Sequence, residues 1–328
     1  MSDGEAVEEV RDAVRRSGLF ARDRPLVAMV SGGRDSTCLL DVAVSLLGAE
    51  SVMALHVNYG LREAADADAG RCAELCEQLG VSLELLAAER AAPDAATGNL
   101  QAWAREVRYG EAHRLAREHD ALIAAGHTAS DQVETILYRL AASPGRRALL
   151  GMAPAEGRLI RPLLGVTREQ TTAYCEQRGL RYVEDQSNSD ERFARSRVRH
   201  GLVEALRAVH PAAEANVLRT ALLLREETEL LEQLVNRELE GRSSVTLARL
   251  REMPDALARL TVVRLAEQAV GGYVPQAGAR VAELLALGRR GGRAELHVGG
   301  QAGAVIEDGT LRMVRLPARV ESLTPDGD

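Results

Sequence analysis

A chain of 328 residues, 46% hydrophobic and 27% charged, is long enough to bury two cores, and none of its apolar runs approaches the roughly 20 residues of a membrane-spanning helix. All 41 basic residues are arginine, since lysine does not occur. A Walker-type lysine loop, a Schiff-base lysine and a lysine–AMP intermediate are thereby excluded. The net charge of −7 argues against a polyanionic partner on average, yet 13 Arg face 8 acidic residues between Arg139 and Arg207, and averages hide patches. The acidic, polar start lacks the pattern of a signal peptide, and four cysteines without a CxxC pair speak for reduced, packed thiols. The expectation is a cytoplasmic protein with no membrane contact.

In chain order, apolar runs and helical patterns alternate. Strand Leu26 to Val30 leads into helix Thr37 to Leu47, strand Val52 to Val57, helix Ala64 to Leu79 and strand Val81 to Leu86. A helix from Leu100 to His119 then precedes the apolar run Ala121 to Ala125 and a helix from Ser130 to Leu140. Repeated βα units predict an α/β fold with a doubly wound parallel sheet, whose ligands bind at the carboxyl ends of the strands. Beyond a Gly-, Pro- and Arg-rich loop come the segment Leu159 to Pro162 and a helix from Thr167 to Arg178. Pro211 then opens one long amphipathic pattern to Glu240. The expected domains are 1–210, catalytic, and 211–328, mostly helical. The second has helices over Ala248 to Val270 and Pro275 to Leu287, a small β region over Ala294 to Val298 and Ala304 to Val314, and a frayed tail after Leu316.

The segment Ser31-Gly32-Gly33-Arg34-Asp35-Ser36 joins the first strand to an apolar helix. Two glycines let the backbone pass close to a ligand, and a helix N-terminus aims unpaired N–H groups at an anion. A plain tight βα turn has the same local form. His56 ends the second strand, and a histidine there is either structural or part of the same rim. Asp131 and Glu134 share one face in the first turn of the helix after Gly126. They serve either as dipole-matched capping acids or as holders of Mg²⁺ or a cationic amine. Arg105 and Arg108 add cations, and Arg192, Arg195, Arg197 and Arg199 alternate through a short basic stretch.

Six segments in series resemble the tRNA(Ile)-lysidine synthetases of the ATP pyrophosphatase superfamily. They are SGGRDS at 31–36, HVNYGLR at 56–62, GNLQAWAREVRY at 98–109, GHTASDQVET at 126–135, RPLL at 161–164, and EDQSN at 184–188 with RSRVRH at 195–200. The resemblance covers residues 25 to 210. It implies an adenine nucleotide alpha hydrolase-like sheet, use of ATP and Mg²⁺, and ligation of free L-lysine to C2 of the wobble cytidine in a CAU-bearing isoleucine tRNA. That reaction passes through an adenylated base. A homodimer is compatible with it, as is a chain with one C-terminal domain. By the same resemblance Ser31, Gly32, Gly33, Arg34, Asp35, Ser36 and His56 hold ATP, and Asp35 also holds the metal. Arg105 or Arg108 stabilises the transferring phosphoryl group, Asp131 and Glu134 take the lysine amine, and Arg195, Arg197 and Arg199 contact tRNA. Three positions depart from the pattern: Ser130 where many members have an acid, Tyr59 where His is frequent, and the loop Ser143 to Arg147. Alternatives are a tRNA thiolase of the superfamily, an amide-forming synthetase, and a tRNA binder without catalysis.

Overall fold

The computed structural model describes residues 4–60, 65–88, 100–142, 145–183 and 194–317. Leu61, Arg62, Gly98, Asn99, Ser143, Arg192, the EDQSN segment and the tail beyond 317 lie outside them. The first compact unit, residues 1–224, is built on a six-stranded sheet. Its strands are β1 (Leu26–Met29), β2 (Val52–Asn58), β3 (Ser82–Ala87), β4 (Leu122–Ala124), β5 (Ala155–Glu156) and β6 (Leu159–Ile160), in the order β3-β2-β1-β4-β6-β5. All pairings are parallel except β5 with β6. The chain leaves β1 for β2 on one side and later returns to β4 on the other. The crevice beyond the carboxyl ends of β1 and β4 is thus the topological switch point of the sheet.

Alternation along β1 assigns its faces. Leu26, Ala28 and Val30 join one buried cluster with Val10 and Val14 of α1 (Glu5–Ser17), Leu39 and Leu40 of α2 (Arg34–Leu47), Leu75 of α3 (Ala65–Leu79) and Tyr174 of α7 (Arg168–Arg178). Val27 and Met29 meet Ala112, Leu115 and Ala116 of α4 (Leu100–Glu118) on the other face. Coverage of both faces is what a parallel sheet requires. Helix α1 was absent from the sequence expectation although Val7, Val10 and Val14 have helical spacing; its acidic exposed face masks that stripe.

Helix α2 carries Asp41 into the core at 1% exposure. The carboxylate accepts the Tyr174 hydroxyl at 2.5 Å and the Arg178 guanidinium at 2.9 and 3.0 Å. Burial, then the neighbouring Asp41, raise the Tyr174 phenol above its ordinary range, so it stays a donor. Helix α7 begins with a capping box: the Thr167 hydroxyl accepts the Gln170 N–H and the Gln170 side chain accepts the Thr167 N–H.

The remaining helices of the unit are α5 (Ala129–Ala142), the single turn α6 (Arg146–Leu149), α8 (Ala194–Arg197) and α9 (Glu204–Val209). A wide π-type turn over Val198–Val203 joins α8 to α9. Helix α10 (Ala213–Leu239) follows, and the division between units falls inside it, between 224 and 225, beyond the boundary expected near His210. The reason is packing: Val217 and Leu218 lie on Val133, Val198 and Val203 of the first unit.

The second unit, 225–328, has a four-stranded antiparallel sheet of β7 (Ser244–Thr246), β8 (Ala294–Gly299), β9 (Ala302–Glu307) and β10 (Thr310–Arg315), ordered β7-β10-β9-β8. Helices α11 (Leu247–Glu252), α12 (Asp255–Val270) and α13 (Val281–Gly288) supply Leu250, Val262, Leu265 and Leu284 to its core. The single helix expected over Ala248 to Val270 is two, because Met253 is extended before Pro254. No helix among the described residues is long and apolar enough to cross a membrane.

Asp41→Ala leaves the Tyr174 hydroxyl buried without an acceptor and frees Arg178. It is expected to lower unfolding stability by about 2–3 kcal/mol, read from urea denaturation at neutral pH.

Candidate active site

The chain leaves β1 at Val30, whose N–H donates to the Leu55 carbonyl. Gly32 then turns in the left-handed region, φ +81°, and Gly33 caps α2. A Cβ on Gly32 would make only an ordinary contact, 3.4 Å, with the Cys72 sulfur, so it is the backbone angle that demands glycine. Hydroxyls tie the turn: Ser36 Oγ donates to the Gly33 carbonyl at 2.8 Å and accepts the Ser31 N–H at 3.1 Å. A short parallel bridge from Val183, N–H to the Gly32 carbonyl at 2.9 Å, braces the outside. His56 is buried, with Nδ1 2.9 Å from the Val30 carbonyl and 3.3 Å from Cys72 Sγ. It supports the loop from beneath. Burial pushes the Cys72 and Cys76 thiols up to about 12 and about 11, so neither is a ready thiolate.

The loop after β4 settles directly on α2. A Cβ on Gly126 would come within 3.1–3.2 Å of the Asp35 carbonyl group and Ser36 Cα, so the absence of a side chain brings residues 127–134 over the glycine loop. Thr128 and Asp131 form the first turn of α5. Asp131 Oδ2 accepts the Thr128 N–H at 2.8 Å and its hydroxyl at 3.0 Å. The capping role foreseen for Asp131 therefore uses one carboxylate oxygen and leaves Oδ1 for other contacts.

Those contacts are cations from two distant segments. Arg195 donates from Nη2 to Asp131 Oδ1 at 2.8 Å and from Nε to Glu134 Oε2 at 3.0 Å. Arg199 donates to both Glu134 oxygens at 2.6 and 3.1 Å. Arg168, at the start of α7, stands 3.6 Å from each acid, and its N–H donates to Ser130 Oγ. Burial alone would raise the Asp131 carboxyl, but Arg195, the Thr128 N–H and Arg168 bring it below the usual range. Arg197 is exposed.

Helix α7 also reaches the glycine loop. The Thr171 hydroxyl donates to Asp35 Oδ1 at 2.5 Å and accepts Arg34 Nε at 3.1 Å; Arg34 Nε also lies 3.1 Å from Asp35. Arg105 lies over the Tyr109 ring at 4.4 Å, and Arg108 at 5.5 Å. His127, between the loop and the acid pair in sequence, has a buried Nδ1 without a hydrogen-bond partner among the described residues. Burial and the charges of Arg161, Arg195 and Arg105 push it down to about 4 against the pull of Asp131, so the ring is neutral at pH 7. Among the described residues no group of three or more His, Cys, Asp or Glu side chains is arranged to hold a metal.

With this geometry in hand, residues 6–206 match the model of the PP-loop domain family. A tRNA(Ile)-lysidine synthase of Pseudomonas fluorescens is 39% identical over 64% of this chain and 48% of its own length. One of Nostoc sp. is 36% identical over 69% of this chain and 67% of its own. The chain belongs to the tRNA(Ile)-lysidine synthase family of PP-loop proteins. It spans about half the length of the curated Pseudomonas relatives it matches. Among solved structures, the U34-tRNA thiolase NcsA from Methanococcus maripaludis shares the fold, with TM-score 0.57 and 16% identity over 67% of this chain and 79% of that one.

In this PP-loop protein the structure brings Ser31 to Ser36, Asp131, Glu134, Arg195 and Arg199 to one end of the sheet. Sequence reasoning missed Arg168, Thr171 and Gln132. The Gln132 amide accepts the Met152 N–H at 2.6 Å and donates to its carbonyl at 2.9 Å. Only Gln132 had a signal, its place in the GHTASDQ string.

The buried, neutral His127 gives a stability signature. The unfolded chain binds a proton near pH 6.5 that the folded chain refuses until about pH 4, so stability is complete above 6.5 and falls as pH drops through that window. His127→Gln is expected to flatten this part of the pH dependence in urea unfolding curves, while the wild type keeps it.

Proposed function

We propose that this chain ligates free lysine to C2 of the wobble cytidine of a CAU-bearing isoleucine tRNA, with ATP cleaved to AMP and pyrophosphate. The observation that carries the reading is the pairing at one switch point of an anion-binding glycine loop with a buried acid pair already engaged by cations. Few reactions need both. The first suits pyrophosphate and the second an alkylammonium.

In the first half-reaction, the cytosine C2 oxygen attacks the α-phosphorus of ATP, and pyrophosphate leaves. The N–H groups of the Gly33–Ser36 turn and the positive end of α2 offset the charge of the leaving group. Arg105, exposed and held over Tyr109, supplies a guanidinium for the α-phosphoryl oxygens. Asp35 fits a Mg²⁺ ion of the kind held by one or two carboxylates with substrate phosphates. Its carboxylate sits at the loop, where its Thr171 and Arg34 partners fix its orientation. When bound, such an ion neutralises phosphate charge.

In the second half-reaction, the lysine ε-amine attacks C2 and AMP leaves. Asp131 and Glu134 hold the ammonium form, and a carboxylate accepts the proton that must be lost before the nitrogen can attack. The cytidine has to leave its stack to reach this crevice. Arg197, exposed beside the site, contacts tRNA phosphate, and the second unit adds tRNA contacts. ATP, lysine and tRNA meet in the cytoplasm, which this reading implies for the protein.

The test is incorporation of labelled lysine into a CAU-bearing isoleucine tRNA transcript, with a transcript altered at the wobble cytidine as control. Incorporation into the first alone is expected, and incorporation into neither, by folded protein that binds the transcript, overturns the reading. Asp35→Ala is expected to lose both tRNA-dependent ATP–pyrophosphate exchange and lysine incorporation. Glu134→Gln, isosteric and gentler on its arginine partners than alanine, is expected to keep exchange and lose incorporation by at least about a hundredfold, the scale of one acid–base group. Unchanged incorporation in either variant removes that residue from the mechanism.

A further inference from the structure

The acid pair assigned to the lysine amine is held by the chain's own cations. Glu134 is 3% exposed and Asp131 is 7% exposed, and three guanidinium groups face them. The three are not equivalent. Arg199 grips Glu134 through both oxygens and its side chain is 19% exposed. Arg168 is fixed through its backbone to Ser130 and stands back at 3.6 Å. Arg195 alone spans both acids at hydrogen-bond distance, yet its side chain is 53% exposed.

Charge balance singles out the same residue. Two carboxylates against three guanidinium groups leave one cation in excess, and Arg199 with Arg168 suffices to neutralise the acids. When Arg195 leaves, Asp131 Oδ1 keeps only Arg168 at 3.6 Å and Arg199 at 3.9 Å, so another cation at hydrogen-bond distance completes the exchange. A primary ammonium is also monovalent, carries three donors, and can take the oxygens that Arg195 releases. The exchange of one for the other is isoelectric, so it avoids the large cost of burying an uncompensated charge.

We propose that Arg195 is a displaceable internal cation. It occupies the Asp131–Glu134 pair until RNA phosphate draws the guanidinium outward, and so couples amine binding to RNA binding. The proposal rests on the lysine and tRNA reading above. It reconciles two roles for the 195–199 segment: Arg195 is both the guard of the acid pair and a phosphate contact, in two positions of one side chain. Competition by Arg195 reduces the apparent amine affinity by the fraction of molecules in which the pair is open, and a ligand that favours the outward position restores it. Linkage makes the effect reciprocal.

The experiment is calorimetric titration of lysine into the full chain, without ATP, in the absence and presence of the CAU-bearing transcript. For the wild type the transcript is expected to tighten lysine binding about tenfold, within the usual range of site-to-site coupling, and saturating lysine to tighten transcript binding by the same factor. Arg195→Gln is expected to bind lysine without RNA as tightly as the wild type does with it, and to gain little from the transcript. If the transcript leaves wild-type lysine affinity unchanged, the proposal is overturned, whatever the variant does. It is also overturned if Arg195→Gln binds lysine more weakly with and without RNA, the result expected of a purely structural arginine. Lysine incorporation run in parallel separates the two readings. A wild type that incorporates lysine but shows no coupling sinks this proposal alone, whereas one that never incorporates lysine sinks the proposed function.

Discussion

The contact on which the site depends is the one between Gly126 and the first turn of α2. Backbone meets backbone there, with 3.1–3.2 Å between the place a Cβ would occupy and Asp35 or Ser36. Side chains can turn away from crowding, but main-chain atoms at a helix N-terminus cannot. The strand order β3-β2-β1-β4 opens the crevice, and this approach decides what lines it. The Thr128–Asp131 cap and Glu134 are carried over the glycine loop because nothing projects from position 126.

Helix α7 adds the second constraint. Its residues at positions 168, 171, 174 and 178 follow helical spacing along one side, and each meets a polar group of the first unit. Arg168 faces the acid pair, Thr171 joins Asp35, and Tyr174 and Arg178 hold Asp41. The loop and the acid pair are thus indexed to each other through one rigid rod as well as through Gly126. Such a rod keeps the two groups of side chains in register with each other at no further ordering cost. The two carboxylate systems differ in purpose. Asp41 ties a buried phenol and one guanidinium into the core between α2 and α7, while the Asp131–Glu134 pair is shared among three arginines at the crevice.

The βα alternation through β4 was legible because those strands are short apolar runs bounded by turn residues, and both sheet faces are covered. The glycine loop and the first turn of α5 were legible because their chemistry is local: a cap, a turn and a helix dipole act over four or five residues. The arginine clamp was not. Arg195 and Arg199 meet Asp131 and Glu134 across more than 60 residues, and a basic stretch reads the same whether it faces phosphate or carboxylate. Helix α7 was expected in place, but Arg168 and Thr171 look like ordinary surface residues until the fold sets them beside the loop. The sharing of α10 between two units was hidden too, since its apolar pattern runs on while the cluster it joins changes from Val133 and Val198 to the core around Val262.

The absence of lysine and the deep burial of every thiol leave the folded chain with few groups for thiol- and amine-directed reagents. Cys38, Cys72, Cys76 and Cys175 are buried and free, and all four belong to the first unit. Cys72 is 1% exposed and its sulfur lies beside Gly32 of the glycine loop, so a reagent reaches it only when that packing opens. Maleimide uptake is therefore a clock for the opening of the first unit's core, with no background from the second unit and none from lysine amines.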